Sequence, residues 1–145
     1  IVYGEQGKPA FAPPATRWFN LSHSGDDIAL LMSDEGEVGC DIEVIRPREN
    51  WQALANAVFS LTEHDELERE APEEQLSAFW RIWTRKEAIV KQRGGSAWQI
   101  VSIDSTAQSL PVSQLRFGSL SLAVCTPTPF TLTAEAVTYS GISAA

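Results

Sequence analysis

Two carboxylates, Asp41 and Glu43, occupy alternate positions of a segment in which polar and apolar side chains alternate from residue 37 to residue 44. If this segment is a β-strand, both carboxylates leave the same face, about 6.5–7 Å apart along the strand. Such a pair suits a hard ion such as Mg²⁺, which takes few carboxylates and completes its shell with phosphate and water. The same pair is also common on ordinary surface strands. The opposite face is wholly apolar, and we expect it to be the core side: Val38, Cys40, Ile42 and Val44.

A second pair of charged residues, Glu87 and Lys91, continues the apolar stripe of the best helix in the sequence. The stripe follows the spacing of a buried helical face: Leu76, Phe79, Trp80 and Trp83. Glu87 and Lys91 come one and two turns after Trp83, so their Cβ atoms lie about 5–6 Å apart. Charges that continue a buried stripe must be paired, bound to metal or functional, because isolated burial is costly. An exposed ion pair of little energetic value is the alternative.

The elements that would carry these residues follow from periodicity and from turn residues. We expect helices packed on a mostly antiparallel sheet, the α+β class. Thr62 is the predicted cap of a short acidic helix, and Asn50 is the predicted cap of the helix before it. The predicted strands are 18–21, 27–32, 37–44, 99–103, 120–125 and 131–137, and the long helix runs from Pro72 to about Arg93.

Composition excludes several classes of protein. The chain has 145 residues, enough for one domain, and its 11 Lys+Arg against 19 Asp+Glu give a net charge of −8. A whole-surface nucleic-acid binder is not expected, because phosphate backbones are held by positive charge. We expect no membrane segment, since no apolar run approaches the length of a membrane helix, and no signal peptide. The cytoplasm is therefore the expected location. The chain begins at Ile1 without a methionine, so we expect a preceding segment to be missing.

Five short motifs, in order between Gly7 and Lys91, resemble the signature set of 4′-phosphopantetheinyl transferases, in particular the larger, Sfp-like group. The motifs are Gly7-Lys8-Pro9, Phe19-Asn20-Leu21-Ser22-His23-Ser24, Val38-Gly39-Cys40-Asp41-Ile42-Glu43, Phe59-Ser60-x-x-Glu63 and Trp83-x-x-Lys86-Glu87-Ala88-x-x-Lys91. The resemblance implies the transferase-like α+β fold. Residues 1–36 would form the end of a first pseudo-repeat that contacts coenzyme A phosphates. Residues 37–145 would form a second repeat with the metal and catalytic residues.

The resemblance also implies a role for individual residues. Asp41, Glu43 and Glu87 would hold Mg²⁺, with Mn²⁺ as a substitute. Glu87 and Lys91 would be catalytic, and Lys8, Ser22 and His23 would bind the coenzyme A phosphates. Lys86 lies about 100° around the helix from Glu87 and off the apolar stripe, so we expect it to matter less for turnover than Lys91.

The implied reaction moves phosphopantetheine from coenzyme A to a serine of an acyl carrier protein and releases 3′,5′-ADP. Coenzyme A and the carrier protein are the expected partners. Two alternatives remain open at this point: a Mg²⁺-dependent phosphohydrolase acting on a nucleotide or coenzyme A, and a non-catalytic fragment that binds a carrier protein. The bases between residues 81 and 93 are interpreted either as plain surface charge or as a docking site for an acidic carrier. The seven acids of residues 63–74 are interpreted as a solvated helix face or loop.

Overall fold

The computed structural model describes residues 1–106 and 111–138. It is an α+β structure whose strand pairs are all antiparallel, so the predicted fold class is confirmed. In chain order the elements are β1 Val2–Tyr3, β2 Pro9–Ala10, β3 Trp18–Ser24, β4 Asp27–Ser33, β5 Gly39–Val44, α1 Trp51–Val58, α2 Leu61–Glu68, α3 Gln75–Gln92, β6 Val112–Phe117 and β7 Leu120–Cys125, with 3₁₀ helices at Pro72–Glu74, Ala97–Ser102 and Ala134–Ala136.

The first large unit is the hairpin of β3 and β4. The two strands pair from Trp18 opposite Ser33 to Ser24 opposite Asp27, so both predicted strands exist and β3 is longer than predicted. The turn needs only Gly25 and Asp26, because Gly25 adopts a φ of 57° that glycine tolerates well. Ser22 and His23, which lie beyond the predicted strand 18–21, are therefore strand residues with alternating directions.

The second unit is a three-stranded sheet in the order β5-β7-β6. In this sheet Asp41 lies opposite Ala123 and Cys40 lies opposite Val124. Directly opposed residues of an antiparallel pair share a face, so Asp41 is on the side of Ala123. Ala123 belongs to the main core cluster together with Phe79 and Ile82 of α3.

The carboxylate face of β5 is therefore the face that packs on α3. The opposite, apolar face is buried as expected, with Cys40 3% and Ile42 4% exposed. Cys40 and the apolar face lie in a second, smaller cluster with Val124 and Leu132. Both faces of the strand are covered, and Asp41 is only 4% exposed. The sequence pattern separated the two faces correctly but could not show that the polar face would meet a helix.

Gly39 allows this close packing of α3 on β5. A Cβ atom at this position would lie 2.1 Å from the Ala88 carbonyl oxygen and 2.3 Å from the Gln92 nitrogen, both in the backbone of α3. The helix can therefore pass over the first residue of β5 at a distance that only glycine permits. This contact brings the last turns of α3, including Glu87 and Lys91, next to the carboxylates of β5.

We expect Gly39→Ala to lower the free energy of unfolding by about 3 kcal/mol, the upper end of ordinary overpacking, because the new methyl group meets helix backbone and not a flexible side chain. Urea unfolding measures the change. Gly4→Ala is the matched control, since the nearest atom to its added Cβ is the Lys8 carbonyl oxygen at 3.7 Å, an ordinary contact. Equal stability of the two variants would contradict this account of Gly39.

Two predicted strands are helical in the structure. Residues 99–103 were predicted as a strand, but Ala97–Ser102 is a 3₁₀ helix. A capping box starts it, in which the Ser96 amide donates to Gln99 Oε1 at 2.8 Å. Within the predicted strand 131–137 there is instead a 3₁₀ turn at Ala134–Ala136, and the Leu132 amide donates to the Ser113 hydroxyl and not to a neighbouring strand. Residues 112–117, which had no predicted element, form β6.

Candidate active site

Six of the seven predicted site residues line one open pocket of about 340 Å³. Its walls come from β3, from β5 and the loop after it, and from α3. The six are Ser22, His23, Asp41, Glu43, Glu87 and Lys91. Larger grooves of about 530 and 630 Å³ elsewhere on the molecule contain none of them.

Asp41 is at the centre of the contacts in this pocket. Its Oδ1 atom accepts hydrogen bonds from Lys91 Nζ at 3.0 Å and from the Ser22 hydroxyl at 3.1 Å. Its Oδ2 atom is buried and has no hydrogen-bond partner within the described residues. A buried carboxylate oxygen without a partner is costly, so this atom marks a position where a cation or donor would be stabilised.

The three carboxylates of the pocket all have a raised pKa. Burial raises the pKa of Asp41 to about 7, although Lys91 opposes the shift; Glu43 and Glu87 add to it by repulsion. Burial also raises the pKa of Glu43, against the opposing charges of Arg46 and Lys91. The pKa of Glu87 is raised by burial as well, with Lys91 opposing the shift and Glu43 adding to it. Three carboxylates that are each harder to ionise than usual form a site that a cation would stabilise.

The donor set fits a hard divalent cation, since it consists of carboxylate oxygens and includes the unpartnered Oδ2 of Asp41. Among residues 1–106 and 111–138, no three His, Cys, Asp or Glu side chains lie close enough to ligate one ion as they stand. Cationic side chains lie beside two of the carboxylates, Lys91 at Asp41 and Arg46 at 3.9 Å from Glu43. The convergence of Asp41, Glu43 and Glu87 on one ion stays a prediction.

The residues predicted to bind coenzyme A phosphates are distributed differently. His23 is exposed on the pocket wall. Ser22 is buried, and its hydroxyl bonds Asp41 and the Ile42 amide. Lys8 does not line the pocket: its ammonium lies 2.8 Å from Glu37 Oε2 and 2.8 Å from the Val38 carbonyl oxygen. The structure thus brings His23 to the site and gives Lys8 partners outside it.

Sequence reasoning missed two arginines on the rim of this pocket. Arg46 and Arg48 follow β5 and stack on tryptophans of α3, with the Arg46 guanidinium 4.6 Å from the ring centre of Trp80 and the Arg48 guanidinium 5.9 Å from those of Trp80 and Trp83. Trp80 is fully buried and donates its indole N–H to the Arg46 carbonyl oxygen at 2.9 Å. The sequence offered one signal, an Arg-Pro-Arg directly after the carboxylate strand.

Lys86 is the clearest correction to the expected roles. It was predicted to lie off the buried stripe, but it is 0% exposed and its ammonium lies 2.7 Å from Glu63 Oε1, which is also 0% exposed. The Lys86 ammonium also donates to the Ile103 carbonyl oxygen. Glu63 accepts the Ser60 amide in a capping box, so Ser60 and not Thr62 caps α2. A buried ion pair therefore joins α2 to α3 one residue before Glu87.

The basic segment of α3 is neutralised within the fold. Arg81 lies 3.4 Å from Glu66 and from Glu70, and Arg85 lies 2.9 Å from Glu66. With Lys86 and Lys91 paired as described, four of the five bases in residues 81–93 contact acids, and Arg93 is exposed. Three of the seven acids, Glu63, Glu66 and Glu70, therefore face bases of α3. The other four are exposed, so the interpretation as a solvated face holds for them only: Asp65, Glu68, Glu73 and Glu74.

Comparison with known proteins identifies the family of the chain. The family model of the 4′-phosphopantetheinyl transferase superfamily matches residues 37–136, which contain β5, the loop after it and α3. The chain belongs to the 4′-phosphopantetheinyl transferase superfamily. It therefore has the enzyme class and the fold that the five motifs implied.

The chain is also similar in sequence to individual members of this superfamily. The chain is 77% identical over 139 residues to the 4′-phosphopantetheinyl transferase AcpT of Salmonella typhimurium, covering 95% of this chain and 72% of that protein. It is 74% identical over 140 residues to AcpT of Escherichia coli K12, covering 96% of this chain and 72% of the relative. The 4′-phosphopantetheinyl transferase Sfp of Bacillus subtilis is 34% identical over 90 residues, covering 62% of this chain and 39% of its own length.

Proposed function

We propose that the protein transfers 4′-phosphopantetheine from coenzyme A to a serine hydroxyl of an acyl carrier protein and releases 3′,5′-ADP. One observation carries the proposal. The residues that the family's motifs assign to metal binding and catalysis, Asp41, Glu43, Glu87 and Lys91, come from two distant segments and line a single pocket. His23, from a third motif, lies on the wall of the same pocket.

The transfer breaks one P–O bond of the coenzyme A pyrophosphate and forms one to the serine oxygen. The leaving 3′,5′-ADP carries away the electron pair of the broken bond, so negative charge accumulates on its phosphate. Mg²⁺, or Mn²⁺ in its place, held by Asp41, Glu43 and Glu87, would act as a Lewis acid on the pyrophosphate oxygens. Lys91 would also stabilise the negative charge on the leaving phosphate, because its ammonium lies in the pocket beside Asp41.

Glu87 is the proposed base that accepts the serine proton. Burial raises the pKa of this carboxylate, with Lys91 opposing the shift and Glu43 adding to it. A Mg²⁺ ion held by Glu87 would oppose the shift as well, so a metal-bound water held by Glu87 is the alternative base. Glu87 lies one helical turn before Lys91, so proton acceptor and ammonium donor act from one face of α3. Proton acceptance by Glu87 and charge stabilisation by Lys91 are thus assigned to neighbouring side chains of α3.

Coenzyme A is proposed to enter from the hairpin side of the pocket, where His23 would contact its phosphates. In this proposal residues 1–36 supply phosphate contacts and residues 37–145 supply the metal and catalytic residues. A contact from Lys8 would require its ammonium to leave Glu37 and the Val38 carbonyl. Ser22 faces Asp41, so its contribution to coenzyme A binding would be indirect.

Mass spectrometry of an acyl carrier protein tests the function directly. After incubation with the protein, coenzyme A and Mg²⁺, the carrier should gain the mass of one phosphopantetheine on one serine. A phosphohydrolase would release product from coenzyme A without any carrier, and a non-catalytic fragment would leave both substrates unchanged. None of the comparisons supports these two alternatives.

The carrier protein is proposed to dock at Arg46 and Arg48. A protein of net charge −8 repels an acidic partner unless a local positive surface receives it, and the bases of α3 are largely paired with acids. Arg46 and Arg48 are exposed on the pocket rim, next to the residues that would act on the incoming serine. Electrostatic complementarity at such a rim raises association rates and selects partners.

We expect Arg48→Glu to raise the KM for an acidic carrier about fivefold at low salt, with the KM for coenzyme A unchanged, because reversing a rim charge acts on association. Steady-state transfer assays at two salt concentrations measure both constants. Arg69→Glu is the matched control, since Arg69 is exposed at the end of α2 and outside the pocket. An equal change in both variants would assign the effect to net charge and contradict docking at Arg48.

The cytoplasm is the proposed site of action. Cys40 and Cys125 are both free thiols in the structure and both are buried, which is typical of a reducing compartment. Within the described part of the chain, no helix has the length and apolar character needed to cross a bilayer.

A further inference from the structure

The backbone amides on the edge of β5 that faces the hairpin donate hydrogen bonds to side chains of β3. β3 and β5 belong to different sheets, yet β3 runs beside β5 and offers it a row of side-chain oxygens. Three alternate amides of β5 donate to them: Cys40 N to Asn20 Oδ1 at 2.9 Å, Ile42 N to Ser22 Oγ at 3.0 Å and Val44 N to Ser24 Oγ at 3.0 Å. These bonds replace the backbone ladder that another strand would have formed.

The same two serine hydroxyls reach the carboxylates of the pocket. Ser22 Oγ donates to Asp41 Oδ1 at 3.1 Å, and Ser24 Oγ donates to Glu43 Oε2 at 3.4 Å. A hydroxyl has one proton and two lone pairs, and in each serine a β5 amide already uses a lone pair. The proton is therefore directed to the carboxylate, which accepts it when ionised.

The serines of β3 and the carboxylates of β5 have the same spacing along their strands. Ser22 and Ser24 are two residues apart, as are Asp41 and Glu43, and side chains of a strand repeat on one face every two residues. Each hydroxyl thus meets one carboxylate, and one oxygen atom fixes both the strand edge and the side chain beside it. Ser22 and Ser24 are 5% and 8% exposed, so water competes little for these bonds.

We propose that Ser24, together with Ser22, is a positioning residue that orients Glu43 and Asp41 for the divalent cation. This inference rests on the proposed function, in which these carboxylates bind the metal. Hydrogen-bond partners of metal ligands hold the ligating group in one orientation, and their loss commonly weakens metal binding about 10–100-fold. Ser24 is the better probe of the two, because Ser22 is also a candidate for coenzyme A binding.

Direct Mn²⁺ binding to the protein, followed by electron paramagnetic resonance of the free ion without coenzyme A or carrier, tests the role of Ser24. We expect Ser24→Ala to raise the Kd for Mn²⁺ about tenfold. Ser24→Thr should restore the Kd to within about twofold, because threonine keeps the hydroxyl and is favoured in strands. Thermal unfolding of each variant confirms that binding is measured on folded protein.

Ser113→Ala is the matched control. The Ser113 hydroxyl accepts the Leu132 amide at 2.7 Å, as Ser24 accepts Val44, but it lies outside the pocket. Its loss should leave the Kd for Mn²⁺ unchanged. A Kd for Ser24→Ala within twofold of the unaltered protein overturns the inference, and so does a threonine variant that binds as weakly as alanine.

A parallel transfer assay on the unaltered protein distinguishes a failure of the positioning role from a failure of the proposed function. Transfer that proceeds while Ser24→Ala binds Mn²⁺ normally removes only the positioning role. Failure of the unaltered protein to bind Mn²⁺ overturns the positioning role and the proposed metal site together. Absence of transfer, with Mn²⁺ binding dependent on the Ser24 hydroxyl, would contradict the proposed reaction and support the positioning role.

Discussion

Lys86→Ala is expected to lower the free energy of unfolding by about 3–5 kcal/mol, because it leaves the Glu63 carboxylate buried without its counter-charge. Both side chains are 0% exposed, and their charged atoms lie 2.7 Å apart. Glu63 also accepts the amides of Ser60 at 2.8 Å and Ser105 at 2.9 Å, and it accepts the Ser105 hydroxyl. Urea unfolding, monitored by tryptophan fluorescence, measures the loss.

Two further variants show whether the charge is the cause. Arg81→Ala removes a partly exposed pair with Glu66, 3.4 Å apart, and should cost no more than about 1 kcal/mol. The double variant Glu63→Gln/Lys86→Met removes both charges and should be more stable than Lys86→Ala, since the uncompensated charge has gone. A double variant as unstable as the single one would indicate that lost packing, and not an unpaired carboxylate, destabilises the protein.

The ion pair of Lys86 with Glu63 also affects the position of the pocket residues on α3. Lys86 precedes Glu87, so the bond between Lys86 and Glu63 fixes the rotation of α3 at the residue before the proposed base. The segment that follows the 3₁₀ helix at Ala97–Ser102 is joined to the same pair through Ile103 and Ser105. Loss of the pair should therefore reduce activity only together with stability.

Lys91→Ala is expected to lower turnover by about 10²–10³-fold while coenzyme A binding changes little. The ammonium of Lys91 is 3.0 Å from Asp41 Oδ1 and is partly buried. In the proposed reaction it stabilises the charge that develops on the leaving phosphate. An interaction that strengthens only as the pyrophosphate breaks affects kcat and not the affinity for substrate. Formation of holo-carrier at saturating coenzyme A measures the turnover.

The control for Lys91 must be a base that serves neither the pocket nor the core. Lys86, the control that the helical spacing suggested, is unsuitable because it is buried against Glu63. Arg93→Ala is suitable: Arg93 caps the same helix two residues later and is exposed. Turnover near that of the unaltered protein for Lys91→Ala, with the fold intact, would remove Lys91 from the mechanism.

The sequence by itself determined the family and the elements that carry the site. Strict alternation around Asp41 predicted a strand, and helical spacing from Leu76 to Lys91 predicted the long helix; both are present. The hairpin of β3 and β4 followed from two apolar runs and a glycine turn. These features are encoded locally, because the backbone period decides which side chains share a face.

Only the tertiary structure decided what covers each face. Periodicity separated Asp41 and Glu43 from Cys40 and Ile42, but it could not show that Gly39 lets α3 lie on the carboxylate side. Likewise, the acids of α2 and the bases of α3 were visible as charge runs, yet their pairing depends on how the two helices pack. The serines of β3 meet the carboxylates of β5 only because the hairpin lies beside that strand. Contacts between residues 15 or more positions apart depend on close approach of backbones and on complementary burial, and a local pattern contains neither.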